Sequence, residues 1–461
     1  MTDIADMTAI ELAGRIRARD ISPVEATKAA LHRIEDRSRL NAFITVATEE
    51  ALTEARAAED AVMRGDDLGL LHGVPYSVKD LLATAGVRTT MGSRLFETNV
   101  PSGDAVSVAR ARTAGGIMIG KTTTPEFGHA QTASSPLFGL TLNPVDPDVT
   151  AGASSSGSAV AVAAGMGPLS IGTDGGGSVR IPAACCGIVG MKPTLGVIPH
   201  LALPDLFGAN SYAGPMARTV ADTALFFEAL QGADSRDPWG QAAGQLHPDD
   251  GAGLAGLRIG WIPTAGARVE PETAAVTLAA VRRLEAEGAI VEEADIDFKS
   301  FEPVFLTLLR AGLAARTAAA FAGREDMVAA SLVETVRFGQ RLSAVELSEA
   351  QAQRTRLFQI MQAHFARFDL LVSPVLTAPP LPLGYDPMGE IEIGGAPAGT
   401  IRGAWYPFTY PQNLTGHPAI SLPWGESSSG LPIALQLCAP WYQDRKLLRL
   451  AELVMQARPA G

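Results

Sequence analysis

The sequence predicts an α/β fold built on one large, mixed, mostly parallel open sheet with helices on both faces. Two observations carry this. Helical and strand-like periods alternate along almost the whole chain, the pattern of βαβ units. Hydrophobic residues make up 47% of the 461 residues and charged residues 19%, with 47 glycines and 6% aromatics, which suits small side chains packed between helices and a sheet.

The elements follow in order. Apolar residues recur at helical spacing from about Thr8 to Arg37, with a break near Asp20 to Pro23. Leu40 to Ala47 alternates like a strand, and the next helical run stops at Gly65, a residue suited to a left-handed cap. Gly73 to Asp80 reads as a short strand carrying Lys79 at its end. Ala105 to Thr122 reads as a helix, a glycine turn and a buried strand. The pattern repeats with an alanine helix at about Ala159 to Ala164 and a strand at Leu169 to Gly172, then a loop, a helix and a strand. Thr219 to Gly232 is a helix, Gly256 to Pro263 a strand, and Glu272 to Ile296 a helix followed by a strand. Phe301 to Phe365 is mainly helical; Phe368 to Pro380 and Pro418 to Pro440 hold late strands, and a terminal helix follows Asp444. No low-complexity linker or repeat divides the chain, so one domain over 1–461 is expected.

Several function classes are disfavoured. The net charge of −12 gives no nucleic-acid footprint. Cys185, Cys186 and Cys438 form neither a disulfide framework nor a metal spacing, and read as buried thiols. The N-terminus has no secretory h-region and no run reaches about 20 apolar residues, so a cytoplasmic protein without a membrane span is expected. Asn413 to Thr415 is then a chance glycosylation match. Gly115 to Thr122 fits the Walker A letters, but a helix precedes it and Ile117 to Ile119 reads as a strand. Gly251 to Gly256 fits a dinucleotide fingerprint but precedes a strand instead of following one, so it reads as a loop.

The chemistry-bearing stretches are Thr150 to Gly167 and Ser170 to Ala183, rich in Gly and Ser, with Lys79 upstream. Such runs let a backbone approach a substrate and aim N–H groups at it. Ser154 and Ser178 lie 24 positions apart, so a helix out and a strand back can return both to one edge of the sheet. That edge, beyond the strand C-termini, is where open α/β sheets bind ligands, and Lys79 also follows a strand. A lysine beside serines can activate a nucleophile without histidine. No G-x-S-x-G surrounds either serine, which argues against a Ser-His-Asp site. Taken singly, a Gly/Ser loop is usually a turn and a lysine after a strand is usually solvated.

These residues resemble the amidase signature family. Gly152 to Ser158 reads G-A-S-S-S-G-S and Gly172 to Ala183 reads G-T-D-G-G-G-S-V-R-I-P-A, close to the family's core pattern. Similar segments run from about residue 8 to 455, with a signature core at about 70–225 and a variable, mainly helical substrate-side region at about 300–410. The resemblance implies Ser178 as nucleophile, Ser154 as the bridging serine after a cis peptide bond, and Lys79 as base, with no metal or cofactor. It implies an oxyanion hole from the N–H groups of Gly175, Gly176, Gly177 and Ser178. Gly175 stands where the family usually has Thr, and Ala153 where it has Gly. Ser155 is expected beside the three, Asp174 and Arg180 as a pair bracing the Ser178 loop, and Asp80 as a loop anchor. Some members instead use that arginine for a substrate carboxylate. His129 falls where members line the acyl pocket; His72, His200 and His417 read as structural. Leu137, Phe138 and the Trp405 to Phe408 run suggest a hydrophobic or aryl substrate. The implied activity is hydrolysis of a small-molecule amide, anilide or carbamate, with ester hydrolysis or the glutaminase part of a tRNA-dependent amidotransferase as alternatives. A homodimer is compatible with the sequence.

Overall fold

The computed structural model describes residues 3–208, 210–387 and 389–459. Thr8 and Ser22 each close a capping box with Glu11 and Glu25, dividing the first amphipathic run into α1 (Ala9–Arg17) and α2 (Pro23–Asp36). β1 (Phe43–Val46) leads into α3 (Thr48–Arg64), which Gly65 ends at φ 77°. β2 (Pro75–Lys79), α4 (Val106–Thr113) and β3 (Ile117–Thr122) follow, then a small hairpin of β4 (Ser134–Ser135) and β5 (Gly139–Leu140). The Gly/Ser stretches yield α5 (Ser156–Ala163), β6 (Leu169–Asp174), α6 (Arg180–Cys186) and β7 (Val189–Lys192). β8 (Tyr212–Ala217), α7 (Val220–Leu230), β9 (Arg258–Trp261), α8 (Pro271–Ala286) and β10 (Ile290–Glu293) continue the alternation.

The region 300–410, expected to be mainly helical, is so through α9 (Glu302–Phe321), α10 (Ala330–Gln340) and α11 (Ala344–Phe365). Beyond residue 365 strands and loops take over most of it. β11 (Leu370–Pro374) returns to the main sheet, β12 (Glu390–Ile393) and β13 (Ala396–Thr400) form a separate hairpin, and α12 (Ile401–Trp405) is one short turn. α13 (Tyr410–Thr415), β14 (Ala419–Glu426), β15 (Pro432–Cys438) and α14 (Asp444–Ala457) complete the chain.

Eleven strands form the main sheet in the order β1-β3-β2-β6-β8-β7-β14-β15-β11-β9-β10. Parallel pairing holds in two blocks, β3-β2-β6 and β11-β9-β10, while antiparallel pairs join them through the middle and at β1. The sheet is therefore mixed, and the short β14–β15 connection makes antiparallel pairing there unavoidable. Successive strand residues enter opposite cores. Met118, Leu370 and Ile420 join one cluster, whereas Ile117, Ile119, Leu371 and Ala419 join clusters on the other face. Helices thus cover both faces, as expected.

The two tempting nucleotide motifs lie in other roles. Ile117–Thr122 is strand, and Lys121 is buried with its Nζ donating to the Leu82 carbonyl and to Thr84 Oγ1. Residues 251–256 form the loop ahead of β9. Asn413 is buried within α13, and the three cysteines are buried and free. One helical segment, Lys299–Phe321, is long and apolar enough to cross a membrane by length and composition alone, although Glu302, Arg310 and Arg316 interrupt its apolar run. In this fold α9 packs against α10 and α11.

Gly157 shows why the Gly/Ser run is small for packing as well as chemistry. Its N–H donates to the Thr123 carbonyl, and an added Cβ would lie 2.3 Å from the Ala42 carbonyl oxygen and 2.4 Å from Thr123 N. Gly157→Ala is expected to destabilise the protein by about 1–3 kcal/mol, overcoming the roughly 1 kcal/mol that alanine gains in a helix. Chemical denaturation of the two proteins checks this.

Candidate active site

Adjacent parallel strands β2 and β6 deliver Lys79 and Asp174 at their carboxyl ends, and Ser154 and Ser178 lie two residues ahead of α5 and α6. Ser155 N–H donates to the Ser178 carbonyl at 3.1 Å, tying the two serine loops together. The Ala153–Ser154 peptide bond is cis. Lys79 is fully buried, with Nζ 2.7 Å from Ser154 Oγ, 3.0 Å from Ser155 Oγ and 3.2 Å from the Thr173 carbonyl oxygen. Burial pushes its pKa well below the ordinary lysine value, against the opposing pull of the Asp174 carboxylate. Ser155 Oγ in turn donates to the Thr173 carbonyl at 3.1 Å and accepts from Thr173 N–H at 3.3 Å.

Ser178 is partly exposed and lines a cavity of about 260 Å³ together with Ser154, Thr173, Gly175 and Gly176. Its Oγ makes no hydrogen bond among the described residues. The Lys79–Ser154 contact is therefore formed, while Ser154 and Ser178 share a cavity wall without a hydrogen bond between them.

Asp174 and Arg180 form the expected bracing pair, both fully buried, 3.0 Å apart. Five N–H groups of Arg180 meet five acceptors: both Asp174 oxygens and the side-chain oxygens of Gln412, Gln436 and Asn413. No donor remains for a substrate carboxylate. Burial opposes the Asp174 charge, but Arg180 and Asn413 outweigh it and hold the carboxyl well below its usual range. The same carboxylate accepts from Gly177 N–H at 2.6 Å and Val179 N–H at 3.2 Å.

That bond corrects the oxyanion expectation at one position. The Gly177 N–H is engaged by Asp174, whereas those of Gly175, Gly176 and Ser178 make no hydrogen bond among the described residues. Gly177 is needed for another reason: its φ is 121°, and an added Cβ would lie 2.3 Å from Thr409 Oγ1. A Cβ on Gly176 would meet Phe305 at 2.5 Å, while one on Gly175 would approach only Ser211 Oγ at 4.0 Å. Gly175 thus leaves open space where a larger residue would fit.

His129 lines the cavity, buried, with its pKa lowered to about 3 by burial and then by the Arg402 charge, the Ser331 carbonyl acting the other way. His72 Nε2 lies 2.9 Å from the Ala58 carbonyl, and His417 is buried against Phe358 and Phe365, both structural as expected. His200 is less remote: burial and then the Arg316 charge lower its pKa to about 4. Asp80 anchors a loop by accepting from Thr90 N–H and Oγ1. Among the described residues no group of three or more His, Cys, Asp or Glu is placed to hold a metal ion.

The apolar lining differs from expectation. Of the run 405–408 only Tyr406 reaches the cavity, since Trp405 and Phe408 are core residues, and Leu137 and Phe138 lie in the β4–β5 turn. The apolar wall comes instead from Phe127 and, on α9, from Phe305, Leu308, Leu309 and Leu313. α9 also contributes Arg316, and α11 Leu347 and Gln351. Nothing in the periodicity of α9 marked this face, because only packing decides which side of an apolar helix meets a cavity.

A buried lysine, two serines and a glycine turn thus meet at the ends of neighbouring parallel strands of an α/β fold. The Amidase family profile matches residues 25–448. An acylamidase of Rhodococcus erythropolis is 36% identical over 459 residues, covering 98% of this chain and 96% of that protein. A glutamyl-tRNA(Gln) amidotransferase component of Moorella thermoacetica is 35% identical over 478 residues, covering 96% and 95%. Among solved structures, a bacterial aryl acylamidase of the amidase signature enzymes has a TM-score of 0.90 at 30% identity, covering 98% of this chain and 96% of that one. A 6-aminohexanoate cyclic dimer hydrolase has a TM-score of 0.86 at 28% identity, covering 100% and 98%. The chain belongs to the amidase signature family and is an amidohydrolase.

Gly177→Ala is expected to disrupt the Ser178 loop and abolish turnover, whereas Gly175→Ala should leave the fold intact. Thermal melts and amide hydrolysis by the two variants check both outcomes.

Proposed function

We propose that the chain hydrolyses linear amide-type C–N bonds of small molecules through an acyl-enzyme on Ser178. The observation that carries this is the bonding around Lys79 Nζ. The Thr173 carbonyl can only accept, and Ser155 Oγ already donates its own proton to that carbonyl. A neutral amine therefore directs its two N–H bonds at these two oxygens, which leaves its lone pair to accept from Ser154 O–H at 2.7 Å. Ser154 so polarised can take the proton of Ser178 as Ser178 Oγ attacks the carbonyl carbon. The handover between the serines has to close when substrate enters, and catalytic hydrogen bonds often tighten only then. The N–H groups of Gly175, Gly176 and Ser178 are the donors for the developing oxyanion. Proton return along the same route expels the amine as the C–N bond breaks, and water repeats the attack on the acyl group. Anilides and carbamates present the same planar carbonyl and fall within reach.

A second reading, the glutaminase part of a tRNA-dependent amidotransferase, is favoured by glutamyl-tRNA(Gln) amidotransferase relatives at 31% to 36% identity. Hydrolysis of simple anilides by the isolated chain argues against it; ammonia release from glutamine only with a partner protein argues for it.

Ser178→Ala should lower kcat at least about 10³-fold. Retention of wild-type turnover by this variant would refute the assignment. The wild-type rate should fall as pH drops through the lysine's lowered pKa, because protonation removes the lone pair that accepts from Ser154. A kcat/KM profile with no acid limb would count against Lys79 as base.

A further inference from the structure

One wall of the cavity carries polar atoms that the protein leaves without partners. His129, Gln131 and Tyr406 line it together with Ser154 and Ser178, and they are 4%, 9% and 1% exposed. Among the described residues, His129 Nδ1 and Gln131 Oε1 are buried and make no hydrogen bond, and Tyr406 Oη, which the Arg402 side chain faces, has no acceptor for its own proton. Behind them Arg402, 8% exposed, also has an unpartnered buried Nε. These groups are neighbours: the Arg402 charge acts on both His129 and Tyr406, and Tyr385, which acts on Tyr406, donates its hydroxyl to the Gln131 carbonyl at 2.8 Å. A buried polar group left unmet costs about 1–3 kcal/mol, so several on one wall mark a place where a ligand group completes the bonding.

The identity of the atoms narrows that group. Tyr406 O–H supplies a donor directed at an oxygen, and Gln131 Oε1 supplies an acceptor for an N–H. His129 is uncharged and the Ser331 carbonyl takes its one N–H, so the unpartnered Nδ1 offers a second acceptor. A carboxylate fits poorly, because it can only accept and would face the acceptor atoms of Gln131 and His129. A purely apolar chain leaves all three unmet.

We propose that the His129–Gln131–Tyr406 wall is a subsite for a second amide-type group of the substrate, bearing both a carbonyl oxygen and an N–H, separate from the bond that is cut. The subsite rests on the amide-hydrolysing reading above. It makes the preferred substrate difunctional, a diamide, bis-carbamate or acylated amino amide, with an apolar spacer against the α9 wall.

Paired substrates differing only in the second group test this. On the acyl side, the para-nitroanilide of N-acetyl-γ-aminobutyric acid is compared with that of heptanoic acid, which has the same chain length. On the amine side, N-acetyl para-acetamidoaniline is compared with N-acetyl para-propylaniline. In at least one pair the wild-type kcat/KM should favour the second amide about tenfold or more, and Tyr406→Phe and Gln131→Met should each bring that ratio toward one. Equal rates within both pairs, or a ratio untouched by both variants, would overturn the subsite while leaving the reaction class standing. No turnover of any substrate, together with no labelling of Ser178 by a sulfonyl fluoride, would overturn the reaction class and the subsite together.

Discussion

Removing a lysine from water is the constraint that organises this molecule. An ammonium ion surrounded by two hydroxyls and a carbonyl, without a directly bonded carboxylate, is unfavourable, and burial draws the lysine pKa well below its ordinary value. The strand bearing Lys79 is buried along its whole length, and parallel neighbours on either side cover its end. A carboxylate hydrogen-bonded to Nζ would favour the charged amine. The hydroxyl of Ser155 stands there instead, fully satisfied by the Thr173 backbone.

Asp174 is the nearest threat to that arrangement, since its negative charge favours the protonated lysine. Its influence is contained by saturation. Arg180, Asn413 and the Gly177 and Val179 N–H groups all point at this one carboxylate, and the Arg180 guanidinium is itself completed by oxygens from α13 and β15. The pair also ties down the turn between β6 and α6, where Gly177, at positive φ, donates its N–H to the carboxylate. Charge compensation and loop geometry are thus one interaction.

Much of this was legible in the sequence because local rules and global fold agree. The capping residues Thr8 and Ser22, the stop at Gly65, and the helix-then-strand order around Ser154 and Ser178 each follow from short-range chemistry. β8 escaped notice because Tyr212–Ala217 is buried on both faces and contains Gly214 and Pro215, so it has neither alternation nor strong strand propensity. The short α13 was likewise hidden, although its Gln412 and Asn413 complete Arg180. The engagement of the Gly177 amide was invisible for a different reason: a motif names donors, and only coordinates say which are already taken. The cavity wall was least legible, since Phe305, Arg316 and Gln351 are brought to Ser178 from helices more than a hundred residues away in sequence.

The division of labour between sheet and helices has an evolutionary consequence. Lys79 and both serine loops are fastened to neighbouring strands, while much of the cavity wall hangs on α9 and α11, outside the sheet. Drift in those helices can trade one clientele for another while the bond-breaking apparatus stays unaltered. A lineage built this way can diversify quickly, provided the crowded glycines Gly176 and Gly177 beside Ser178 are left alone.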